Sequence, residues 1–192
     1  MALLMHYRRL ASLLVGAWLS GSFGMMVVAT QNFRGVDRLL EAPSAQAAPL
    51  LRELGDDARP LLRYQVSELN RWYFQMWERT QLVLGIAVLG VLLFRAEGRP
   101  SMLILSSLML ASTAAVHWLI TPEIIRLGRS IDFVPETVFS EARNRFWGLH
   151  TTYSIIETVK VGAGLALAAM LLRRRKRRAE KAEEEPDPPD PV

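Results

Sequence analysis

The 192-residue chain contains no cysteine, which excludes disulfides and thiolate metal sites and leaves nothing to read about redox compartment. It has no Asn-x-Ser/Thr acceptor either, because Asn32, Asn70 and Asn144 are followed by Phe-Arg, Arg-Trp and Arg-Phe. There is no His-Glu-x-x-His, and of three histidines only His117 and His150 could converge with a carboxylate on a metal. No histidine pair lies at matched mid-membrane depth for haem, so neither metal nor cofactor is assigned. The most telling scarcity is local. Residues 10–33, 80–94 and 100–122 carry no Asp, Glu, Lys or Arg, and residues 146–172 carry only Glu157 and Lys160.

Average composition conceals this, since 51% hydrophobic and 22% charged residues are near-ordinary values for soluble domains. At 1.5 Å per residue the first and third of these runs reach about 36 and 34 Å, enough for a hydrocarbon core of roughly 30 Å. The expected fold is all-α: a four-transmembrane-helix bundle with amphipathic helical segments on the outer face. Its spans fall at about 10–33, 72–94, 100–121 and 147–172, and residues 173–192 form a basic anchor and a disordered acidic, proline-rich cytoplasmic tail.

Three local readings refine this plan. The first span follows Arg8-Arg9 and imitates a secretory signal, but its apolar run exceeds the roughly 7 to 15 residues of a signal h-region, so it is read as retained. The uncharged run 80–94 is too short to span alone and must recruit Trp72-Tyr73-Phe74 and Trp77, interfacial aromatics. Upstream, Leu61, Leu62, Gln65, Val66, Leu69 and Trp72 mark an amphipathic face leading into span two. Arg95 to Pro100 is a short turn making spans two and three a hairpin. Thr121-Pro122-Glu123 reads as the N-cap and first turn of a new surface helix.

Lys and Arg tie at 11 on each side of the membrane, but the six consecutive basic residues Arg173 to Arg178 abut the last span. Both termini are therefore expected in the cytoplasm, in an inner (plasma) membrane. Directly after a span, that basic run suits anionic lipid headgroups rather than nucleic acid.

Chemistry concentrates in span four. His150, Tyr153, Glu157, Lys160 and Gly164 recur at intervals of 3, 4, 3 and 4, one line down a helix with Glu157 and Lys160 flanking the midplane. A lone charge there costs about 2.5 to 3.5 kcal/mol, so the two should face the bundle and each other. They are either a packing ion pair or a site for a proton, ion or anion. Glu78, with Gln75 and Gln81 nearby, and His117, a turn from Thr113, could join from spans two and three. Span one carries Gly16, Ser20 and Gly24 at intervals of four, a seam expected to pack another helix.

Ala17-Trp18-Leu19-Ser20-Gly21-Ser22-Phe23-Gly24 with Val27-Val28-Ala29 and Phe33, and Phe146-Trp147-Gly148-Leu149-His150 before the last span, resemble the domain-of-unknown-function 4149 family, which includes proteins similar to vertebrate transmembrane protein 205. The resemblance covers most of residues 10–172 and implies four spans with no established activity. A link of vertebrate members to drug tolerance suggests transport or trafficking. The long first outer loop departs from that pattern, and the Glu157/Lys160 pair is not carried over from it. The leading expectation is a protein that binds or passes a small solute or ion through a polar pocket, and the sequence leans away from an enzyme without deciding the point. The rivals are a structural subunit of a membrane complex, including a homo-oligomer, and a haem or redox protein.

Overall fold

The computed structural model describes residues 2–94, 100–135 and 137–183, with side chains between His6 and Leu172. The described residues are helical without strands: α1 (Ala2–Glu41), α2 (Ala47–Leu54), a 3₁₀ turn (Gly55–Asp57), α3 (Ala58–Phe94), α4 (Pro100–Ala115), a π turn (Val116–Ile120), α5 (Thr121–Ile131) and α6 (Glu141–Glu183). Four helical stretches are long and apolar enough to cross a membrane. Leu13, Phe23, Val83, Ile86, Ile104, Leu119, Ile155 and Val159 are exposed around them, which suits contact with lipid.

The helices overrun the expected spans. At 40 and 37 residues, α1 and α3 are about 60 and 55 Å long, so both project well past a hydrocarbon core. Outside it they pair with each other, through the Arg59–Asp37 ion pair, Arg63 over the Phe33 ring and Asn32 Nδ2 donating to Asn70 Oδ1 at 2.7 Å. Between them the chain turns through α2, which ends at Gly55, whose φ of 53° favours glycine.

As expected, the segment before span two runs into it without a break. Its packing face differs, however: Leu61, Leu69 and Trp72 are exposed and Asn70 is buried. The cause is phase. Because α3 is one helix, the stripe Glu78, Gln81, Gly85, Val88 and Leu92 that faces the bundle fixes which face points inward upstream as well.

Neighbouring long helices are antiparallel. α1 packs on α3 and α6, and α4 packs on the same two, which closes a ring with α3 and α6 facing each other across the centre. The first turns of α1 and the Leu171 turn of α6 share one side, termed here the terminal side, where Arg8 donates to the Leu171 carbonyl at 2.8 Å. On the opposite, loop side, Arg71 binds both oxygens of Asp132 at 2.7 and 2.9 Å and also Glu68, and Arg129 binds Glu68 too, tying α3 to the end of α5. Buried Gly128 gives the Arg71 guanidinium room to cross.

Thr121 is not an N-cap. Its backbone is helical, and its N–H reaches back five residues to the Val116 carbonyl. Pro122 explains the π turn, since it has no N–H to give the Trp118 carbonyl and its ring would strike that carbonyl in a regular α-helix. The backbone of α6 continues through the basic run to Glu183, past the point where a disordered tail was expected. The expected turn at 95–99 and the tail beyond Glu183 lie outside the described residues.

Candidate functional site

The centre of the ring is polar on the loop side of the midplane. Lys160 on α6 is buried and lies 2.6 Å from Glu157, as the three-residue spacing implies. That contact is an ion pair poorly aligned for a hydrogen bond, since Glu157 Oε1 accepts none. The ammonium makes its hydrogen bonds across the bundle, donating to Gln81 Oε1 at 2.6 Å and Thr113 Oγ1 at 3.1 Å. Three helices thus converge on one amine. The expected pair is better described as one charge of a shared network.

One turn nearer the loop side, the fully buried Glu78 of α3 accepts from Thr121 Oγ1 at 2.6 Å and lies 2.9 Å from His117 Nδ1. Tyr153 is buried on the loop side of Glu157, edge-on to Phe74 at 5.7 Å, with its hydroxyl within electrostatic reach of Glu157 and Glu78. Glu78 and His117, read from sequence as possible contributors, therefore do join the line.

His150 does not. Its ring stacks on Phe146 at 5.8 Å and meets Trp147 edge-on at 5.5 Å, all on α6, and it makes no hydrogen bond to the polar line. His117 and His150 have separate partners, and among the described residues no group of three His, Asp or Glu side chains is placed to hold a metal.

The line ends at an open groove of about 610 Å³ lined by Gln75, His117, Trp118, Thr121, Pro122, Ile125, Arg126 and Arg129. His117, with a side chain 18% exposed, lines this groove and touches Glu78 as well. The arginines at its rim are occupied: Arg126 forks onto Glu123 and Arg129 onto Glu68.

Toward the terminal side the interior becomes apolar. Gly164 lies against Leu19 and Met109, and beyond it Ala11, Val15, Trp18, Val88, Leu92, Met102, Leu167 and Leu171 pack together, with Ser106 the buried polar residue at this level.

Among the described residues, the expected seam of Gly16, Ser20 and Gly24 packs against no other helix. A Cβ at Gly16 or Gly24 would meet nothing within 4 Å, and Ser20 is exposed. Gly21 makes the close approach, because its Cα lies against the Trp77 ring. The indole N–H of Trp77, the hydroxyl of Ser22 and the Gln81 amide nitrogen are buried without hydrogen-bond partners among the described residues.

Sequence reasoning missed Thr121, whose Thr-Pro-Glu context reads as a cap, and underrated Gln81 and Thr113, whose uncharged side chains look interchangeable with any polar residue in a span. The signal that could have found them is spacing: Glu78 and Gln81, like Thr113 and His117, recur at one helical turn. No known protein family matches the chain, and no curated protein or solved structure is similar to it.

Proposed function

We propose that this is a membrane protein that binds or passes a small solute or ion through the polar interior between its helices. The observation that carries the reading is the convergence of Glu78, Gln81, Thr113, His117, Thr121, Glu157 and Lys160, from α3, α6 and the continuous stretch α4 to α5, beside an open groove in the loop-side half. Intramembrane ionisable residues are expensive and more often functional than not. The Gln81 amide adds support. Its oxygen is fixed by Lys160, so its nitrogen is a buried donor that a polar solute would satisfy.

The orientation belongs to this proposal: both termini in the cytoplasm, the groove facing outward from an inner membrane, and Arg173 to Arg178 against anionic headgroups. So does kinship with the domain-of-unknown-function 4149 family, which supplies a four-span plan and no chemistry.

Trp77 and Trp118 lie close enough to report on the site. Tryptophan fluorescence of the purified protein, titrated with protons, sodium, potassium and small organic cations and anions, should show a saturable change with at least one of them. A folded Glu157→Gln/Lys160→Met double variant should lose it. No response across the set, or a response the double variant retains, removes the reading.

An exposed small-residue seam on α1 favours a second reading, that of an assembly subunit or homo-oligomer. In that case Ser20→Leu should lower the mass of the detergent-solubilised particle, and an unchanged mass counts against it.

A further inference from the structure

The central network has one carboxylate too many. Glu78 and Glu157 face it from α3 and α6, against the single ammonium of Lys160. No nearby guanidinium makes up the difference. Arg71 is held by Asp132 and Glu68, Arg129 by Glu68 and Arg126 by Glu123, and Arg79, next to Glu78 in sequence, is exposed and turned to Met76. α1 brings no charged residue between positions 10 and 33. Glu157 already has Lys160 beside it, so the excess resides on Glu78, whose neighbours are the His117 imidazole, the Thr121 hydroxyl and, within electrostatic reach, the Tyr153 hydroxyl and Lys160.

These neighbours select the kind of cation. A metal ion needs a cage of several oxygen ligands with lone pairs facing it. Both oxygens of Glu78 instead face hydrogen-bearing groups, Thr121 Oγ1 at 2.6 Å and His117 Nδ1 at 2.9 Å. Gln81 Oε1 and Thr113 Oγ1, the nearest neutral oxygens on those helices, are turned to Lys160. A buried carboxylate with one oxygen on an imidazole whose other nitrogen lies at a groove, and no cage of lone pairs around it, is placed to receive a proton through that ring and not a metal ion.

Access has a direction. His117 Nδ1 is committed to Glu78, Nε2 makes no hydrogen bond to the described residues, and the ring lines the open groove. On the far side of Lys160, the packed layer of Met109, Leu167, Val88, Leu92 and Trp18 separates the network from the terminal side.

Resting on the ion-binding reading above, we infer that Glu78 and His117 form a proton-binding pair loaded from the groove alone, a dead-ended well and not a through-channel. The imidazole takes a proton on Nε2 from water in the groove and passes its Nδ1 proton to Glu78 Oε2. This leaves a neutral carboxylic acid and a neutral imidazole, and the network reaches charge balance with Glu157 and Lys160.

Infrared difference spectroscopy of the protein in nanodiscs, between alkaline and acidic buffer, tests this directly. A carboxylic-acid C=O band should appear on acidification, shift with isotope-labelled glutamate and vanish in Glu78→Gln. In His117→Phe it should still appear after a pH jump but roughly a hundredfold more slowly, the size of effect typical of removing a positioned proton-transfer group. In vesicles of uniform orientation, acid on the loop side should raise the band at once and acid on the terminal side should not. Isotope labelling of the unmodified protein keeps the test decisive if Glu78→Gln does not fold. A labelled band rising equally from both sides overturns the dead-ended well, and a band that survives Glu78→Gln overturns the assignment. Sodium at constant pH abolishing the band identifies a metal cation and sinks the proton assignment, while the broader ion-binding reading stands. Silence to both protons and sodium, with no tryptophan response, removes both.

Discussion

The two halves of the bundle face the same apolar surroundings on the outside and differ completely within. On the loop side the centre holds two carboxylates, an ammonium, an imidazole, an amide and two threonine hydroxyls, nearly all paired. On the terminal side the same four helices meet through Leu, Val, Met, Ala and Trp. Lipid tails offer helices no hydrophobic drive to associate, so the apolar half is held by close packing, and the polar half by hydrogen bonds that have no alternative partner in hydrocarbon. One half tolerates gradual change in shape, whereas the other depends on every member being present.

The comparison is broken most forcefully at Lys160. Lys160→Met leaves Glu157 without its cation and Gln81 Oε1 with the Thr113 hydroxyl in place of a charged donor, and should lower stability by about 3 to 5 kcal/mol, the scale of a broken buried ion pair. The double Glu157→Gln/Lys160→Met variant should recover much of that loss, measured as thermal unfolding in detergent. If the double variant melts as low as the single one, the polar half is held by something other than charge pairing.

In the apolar half, Leu167→Ala should cost less, about 2 kcal/mol, because the truncation opens a cavity with no stranded charge. Chemical denaturation should show the loss unrelieved by any second substitution in the polar half. Recovery on adding Glu157→Gln would mean that the halves are coupled.

Beside the polar half, Gly21→Ala forces a methyl into the Trp77 ring and should destabilise by about 1 to 2 kcal/mol. Gly16→Ala and Gly24→Ala, whose methyls would meet nothing within 4 Å, should leave stability unchanged or raise it by up to about 1 kcal/mol through better helix propensity. Equal losses at all three would show that the α1 seam is packed against another molecule. The smallest effect is expected at the groove rim. Arg126→Ala removes a contact to Glu123 that both partners make in solvent, and the melting temperature should not move. A clear drop would show that the rim is part of the polar network.

The four spans were legible because a missing charge is a strong signal over twenty residues. The inward faces were not, since a helix meant for lipid is apolar all round and hydrophobic periodicity fades. Charge filled part of that gap: Glu157 and Lys160 had to face the bundle, Glu78 was free to join them or to stay at the interface, and all three meet in the interior. Where charge was absent the reading failed. Leu61, Leu69 and Trp72 were grouped as a packing face by hydrophobicity, yet the phase of α3 is dictated by residues further along the same helix. His150 was placed on the polar line by spacing alone, but its stacking on Phe146 and Trp147 keeps it apart. The Gly16, Ser20 and Gly24 seam obeyed its pattern and still met no helix, since a stripe of small residues states that a close approach is possible without stating to what.

The π turn at Val116–Ile120 has an effect best described as counting. In an uninterrupted α-helix, Thr121 would lie about 800° beyond Thr113, or about 80° off its face, and its hydroxyl would swing away from Glu78. The one additional residue held in the wide turn takes back about 100°, so that Thr113 and Thr121 both point to the centre. Straightening that turn into a regular α-helix without removing a residue would therefore keep every functional group of the network and still dismantle it, carrying Thr121, Arg126 and Arg129 around the helix together. The site is written in the number of residues between its members as much as in their chemistry.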